Sequence, residues 1–272
     1  MIKINVLLLT LVFSFQAQAF TLNNSVAASF DMEAVDDVVV NVASHACTRI
    51  GLSNADLLGL ISEAVDEYWN RVHTSSLRMR AGAVINVASD FQTGTACTDP
   101  NAASCTINPA LRVSSGVLIS CNTEGANFNN NGRILGVTVP NNVSGQTING
   151  SLILLNDIAS TIFGDLSRRE QVAVIAHEIG HAIGLGHTEL QDNLMLFESV
   201  PTREALGWDD VEGVSYLYPV EQPISGCGTI EFPTNSKGGF LTLILGILLS
   251  LSLGALFKKK SSKQVSEGAA LL

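Results

Sequence analysis

His177-Glu178-Ile179-Gly180-His181-Ala182-Ile183-Gly184-Leu185-Gly186-His187 holds three of the five histidines in a 272-residue chain. His177 and His181 stand four apart, so on an α-helix they share a face and can close on one ion from the same side. A straight helix would carry His187 away, because six further residues is nearly two turns along the axis. The chain must therefore turn. Gly184 is the residue type that tolerates the left-handed conformation ending a helix, and Gly186 adds freedom just before the third histidine. Three protein ligands with one position left for water is the donor set of a catalytic zinc, and Glu178, beside the first ligand, can reach that water. The expected chemistry is hydrolysis, with Glu178 taking the water's proton and returning it to the leaving group. Taken singly, each histidine reads as an ordinary imidazole, as do His45 and His73. Pairing of Glu178 with Arg168 or Arg169 is disfavoured by nine or more residues of intervening helix.

Outward from this stretch, Ser167 with Glu170 forms a capping box, and Val172, Ile175, Ile179 and Ala182 make the apolar stripe of the helix that follows. A second capping box, Ser53 with Asp56, opens a long amphipathic helix to about Arg71. Between them, short β-type runs at 80–87, 117–121, 134–139 and 148–155 are separated by Asn/Gly-rich turns and predict a sheet. Residues 20–44 read as a leader, either a short propeptide or a first strand, with an acidic cluster ahead of Val38-Val39-Val40. Asp209 with Glu212 opens a last helix stopped by Pro219. The catalytic domain is thus expected over 45–220, followed by a linker over 221–239.

Composition places the domain outside the cytoplasm. Residues 1–19 combine Lys3, an apolar run and Ala17-Gln18-Ala19, the pattern of a signal peptide cut near Phe20; an uncleaved anchor is the alternative, but the run is short for a bilayer. Residues 240–257 carry no charge and precede Lys258-Lys259-Lys260, which predicts a transmembrane helix with residues 258–272 as a cytoplasmic basic tail and the domain outside, at the cell envelope or surface. Residues 20–226 contain nine arginines, no lysine and 23 acids, a net charge of about −14, which argues against nucleic acid as a partner. Five cysteines in an exported chain suggest disulfides. Cys97 with Cys105 and Cys47 with Cys121 are the expected pairs, with Cys227 left over; sequence alone leaves other connectivities open.

The eleven-residue stretch resembles the metzincin consensus His-Glu-x-x-His-x-x-Gly-x-x-His. Met195, eight residues after His187, is similar to the Met-turn methionine beneath the zinc of the matrixin branch. Residues 209–218 resemble the final matrixin helix. The resemblance implies an α+β (α/β metzincin-like) fold, with a twisted mixed sheet, a long first helix, an active-site helix and a C-terminal helix. It also implies a zinc metalloendopeptidase acting on peptide or protein substrates, with one catalytic Zn²⁺ on His177, His181 and His187. In that family substrate lies antiparallel to the sheet's edge strand, expected here around residues 150–155. Leu196-Phe197-Glu198 stands where matrixins place a proline and an aromatic to wall a substrate pocket, and no cysteine-switch motif precedes Cys47. A second, structural zinc on histidines is not expected with only His45 and His73 spare; calcium is compatible, but no site for it is readable. Gly238-Gly239, the apolar run and the basic cluster resemble a bacterial C-terminal sorting signal, although a plain anchor fits the twelve residues after Lys260 better. A catalytically silent adhesion module that keeps zinc for stability is the competing class; it would need a fourth protein ligand, such as Cys47 or an acid of the leader.

Overall fold

A computed structural model describes residues 20–23, 27–99, 105–197 and 205–220. These belong to the first of two units, Met1–Glu221 and Gln222–Leu272. The segments expected over 1–19 and 221–272, including the apolar run at 240–257 and Cys227, lie outside the described residues. Among the described residues no helix is long and apolar enough to cross a membrane.

Five strands form a mixed sheet: β1 (Val38–Ala43), β2 (Met79–Ile85), β3 (Gly116–Asn122), β4 (Gly136–Ser144) and β5 (Thr147–Asn156), in the order β2-β1-β3-β5-β4. The pairs β1 with β2, β1 with β3 and β3 with β5 are parallel, and β4 runs antiparallel to β5. Helix α1 (Asn54–Glu67) makes the crossover that parallel neighbours β1 and β2 require. A one-turn helix, α2 (Asp90–Thr93), covers the far face, while α3 (Arg168–Ala182) and α4 (Trp208–Leu217) complete the near one.

Both faces of the sheet are covered, which is why Leu152-Ile153-Leu154-Leu155 reads as an unbroken apolar run. Alternate residues go to opposite cores. Ile153 and Leu155 join Val117, Ile119 and the buried residues of α1 and α3, whereas Leu152 and Leu154 join Leu118, Phe91, Leu111 and Phe128. Both expected capping boxes are present, at Ser53 with Asp56 and at Ser167 with Glu170. Both disulfides expected within these residues are formed, Cys47–Cys121 and Cys97–Cys105.

Four expectations change. Of the two readings of residues 20–44, the first strand is the one formed, since Val38–Ala43 is β1, flanked by β2 and β3, and the domain therefore includes residues before 45. The edge strand is β4, not the 150–155 segment, since β5 lies between β3 and β4. Pro140 belongs on an edge, where a missing N–H costs no ladder bond. The start of β4 shifts from Ile134 to Gly136 because the Asn156 amide takes the carbonyls of Asn131 and Ile134, at 3.1 and 2.6 Å. Finally, α4 opens at Trp208 with Gly207 as its cap, and it is Asp210, not Glu212, whose carboxylate returns to the Gly207 N–H at 2.8 Å.

Val38, Val40 and Val42 are each at most 2% exposed, and burying three such side chains contributes about 6 kcal/mol, comparable to the whole net stability of an ordinary domain. Deleting residues 20–44 should therefore abolish the cooperative thermal transition seen by circular dichroism. A sharp transition in the deleted chain would contradict the placement of β1.

Candidate metal centre

Helix α3 is buried on every side from Gln171 to Ala182, including His177, Glu178 and His181. Carrying polar groups through a core requires that each be given a partner. His177 Nδ1 lies 2.7 Å from the Leu194 carbonyl and His181 Nδ1 lies 2.8 Å from the Leu185 carbonyl. A carbonyl only accepts, so both Nδ1 atoms carry the proton and both Nε2 atoms present lone pairs.

The helix ends at Ile183, and Gly184 follows at φ +111°, a conformation that a side chain would strain. This reversal brings His187 back over the helix, with its Nε2 3.3 Å from that of His177 and 3.0 Å from that of His181. Ligand atoms of the three histidines all lie within 4.8 Å of one another, the one such group among the described residues. Burial lowers the basicity of His177, to about 4, and pushes His181 well below the ordinary imidazole range; His187, on the open side, is lowered by the same cause. Three neutral imidazoles whose lone pairs face a common point repel unless a cation lies between them. The donor set therefore fits zinc.

Glu178 is also buried, and burial raises its carboxyl to about 7, against the opposing pull of a 2.5 Å hydrogen bond donated by the Thr138 hydroxyl to Oε2. Thr138 and Gly136 occupy alternate positions of edge strand β4 and so share a face. A Cβ on Gly136 would sit 2.7 Å from the Glu178 carboxyl, so glycine there leaves the carboxyl its space. Neither residue was singled out by sequence, because their relation to Glu178 depends on β4 being the edge.

Met195 is buried against α3, where any side chain at Gly180 would collide with its sulfur. The turn carrying it is held by Asp210, whose carboxylate accepts from the N–H groups of Leu194 (2.6 Å) and Met195 (3.0 Å). Burial pushes the Asp210 carboxyl upward, and these backbone donors oppose it. The Phe197 ring stands 5.0 Å from that of His187 and is 72% exposed. The histidines and Glu178 open into a cleft of about 580 Å³, walled by residues 134–138, Phe197, Leu22 and Asn23. His45 stays apart, its Nε2 on the Ala88 carbonyl, and Arg168 pairs with Glu63 at 2.5 Å, not with Glu178.

The raised Glu178 carboxyl carries a stability signature. The fold holds this proton more tightly than the unfolded chain does, so the stability it contributes is intact below about pH 4.5 and is lost as pH rises through 7. His177 has the opposite sign, losing stability as pH falls from 6.5 towards 4, equally in any Glu178 variant. With chelator present, Glu178→Gln should exceed the parent by up to about 3 kcal/mol at pH 8, the gap closing by about pH 4.5. Coincident melting curves at pH 8 would remove the buried-carboxyl account.

Residues 119–219 match the model of the family described as Matrixin. Metalloendoproteinase 2-MMP of Arabidopsis thaliana is 39% identical over 79 residues, covering 26% of this chain and 20% of that protein. Metalloendoproteinase 5-MMP of the same plant is 39% identical over 67 residues, covering 20% of this chain and 18% of the relative. The chain thus aligns with about a fifth of the length of these curated relatives. The match to the family runs from β3 through the three histidines and the Met195 turn to the end of α4, and over that span the chain is similar to the matrixins.

Proposed function

We propose that this protein is a zinc-dependent endopeptidase in which His177, His181 and His187 hold the metal and Glu178 is the general base. The observation that carries this reading is the convergence of three Nε2 atoms beside a buried carboxyl at the floor of a cleft whose rim is an unpaired strand edge. Zinc bound there would acidify a water and polarise the scissile carbonyl. Glu178 lies buried beside the three histidines, where a bound cation's charge would offset the burial that raises its carboxyl, and it is placed to accept a proton from the attacking water and deliver it to the leaving amine. Thr138 keeps one carboxyl oxygen engaged while the other is free for the water. A substrate in extended conformation would add to the free edge of β4, with its scissile bond carried past Glu178. Met195, held from behind by Asp210, supports the floor of the histidine site and takes no part in proton transfer.

We also assign the protein to the cell envelope, exported through residues 1–19 and anchored in the membrane through residues 240–257. The two disulfides and the strongly acidic, lysine-free domain support an oxidising, extracytoplasmic setting. Its substrates are peptides or proteins.

The full-length chain in detergent should cleave an unstructured protein such as casein, lose activity to a chelator and regain it with zinc. Glu178→Ala should lower kcat at least a hundredfold while zinc remains bound. Activity that survives the chelator would overturn the proposal.

A further inference from the structure

The carbonyls at the C-terminal end of α3 have no partners within the helix, and three consecutive ones are taken by side chains from three different places. Ser151 of β5 donates to Ala182 O at 2.7 Å, Tyr218 after α4 donates to Ile183 O at 2.8 Å, and Asn23 donates through Nδ2 to His181 O at 3.0 Å. Asn23 comes from a segment far upstream of the sheet, and its neighbours do the same work along the loop that follows. Leu22 forms an antiparallel bridge with Leu185, fixed by Asn23 N–H to Gly184 O and Gly186 N–H to Thr21 O, both 2.9 Å. The Thr21 hydroxyl donates to the carbonyl of His187. Phe20 anchors the near end of the strap, its ring 5.0 Å from that of Tyr216 on α4.

Four polar contacts from Thr21 and Asn23 therefore bracket the turn between the second and third histidines and engage the main chain of both. That turn has only five residues between His181 and His187; α3 holds it as far as Leu185, through the Leu185 N–H on the Gly180 carbonyl and His181 Nδ1 on the Leu185 carbonyl, and the strap takes over at Gly186 and His187. Leu22 and Asn23 also line the cleft that holds the histidines, together with Gly186, Phe197 and the start of β4.

We propose that Thr21 and Asn23 are positioning residues for the third metal ligand, and that Leu22 is a specificity-determining wall of the substrate cleft. The inference rests on the three histidines holding zinc, as proposed above. The Thr21 hydroxyl and the Asn23 Nδ2 donate to main-chain carbonyls of the turn, so the strap braces the site through its backbone. Because ordering His187 is part of assembling a three-nitrogen site, loosening it should show in zinc retention.

In competition between the full-length protein and a chromogenic chelator for zinc alone, the variant Thr21→Val with Asn23→Ala should bind about tenfold more weakly, with an unchanged far-UV spectrum. Thr21→Ser, which keeps the hydroxyl, should match the parent. Leu22→Ala should keep the parental zinc affinity but raise KM with kcat little changed, and it should alter the residue preferred at one substrate position in a peptide library. Zinc affinity within twofold of the parent in the folded double variant would overturn the positioning role, and an unaltered cleavage profile for Leu22→Ala would overturn the wall. If the double variant loses its far-UV signal, each single variant carries the test, expected at about threefold. A parent that binds no zinc would instead refute the reading on which this inference stands.

Discussion

Most of the fold answers to one constraint: α3 carries two imidazoles and a carboxyl through the interior of the domain, where unpaired polar groups are costly. Each is resolved locally. Carbonyls of Leu194 and Leu185 orient the imidazoles, Thr138 engages the carboxyl, and Gly136 clears space for it. Those partners come from the turn after His187, the loop before it and the sheet edge, so enclosing the helix and arranging the site are the same task. The apolar face of α1, the Trp69 indole donating to Ala176 O at 3.0 Å, and the helix-facing side of the sheet supply the rest of the enclosure.

Asp210 shows how far the constraint propagates. It lies on the last helix, distant in sequence from the histidines, yet its carboxylate fixes the N–H groups of Leu194 and Met195. Leu194 in turn supplies the carbonyl that sets the tautomer of His177. The orientation of an imidazole on α3 thus depends on a carboxylate on α4 through one intervening turn.

Much of this was legible because it is local. Four-residue spacing placed His177 and His181 on one face, Gly184 announced the reversal that returns His187, and the two capping boxes marked both long helices. What escaped was set by distant pairing. Val38-Val39-Val40 reads equally as a leader or a strand until its neighbours, 40 and 80 residues on, are known. The apolar run of β5 resembles any strand, and only sheet order makes it interior; Pro140 in the neighbouring run was the available sign that β4 is the edge. Thr138 and the strap at residues 20–23 carry no motif, since a threonine or an asparagine acquires a role at the site only when the fold places it beside Glu178 or the end of α3.

The sheet order has a kinetic meaning. β1 emerges first during synthesis but pairs with β2 and β3, which follow much later, and only the β4–β5 pair is joined by a short turn. Long loops must close before these parallel pairings are rewarded, which makes such a sheet slow to form. The helix bearing the histidines is made after every strand. A nascent chain therefore carries an unfinished sheet until β5 has emerged, and the histidine cluster can be assembled only after that.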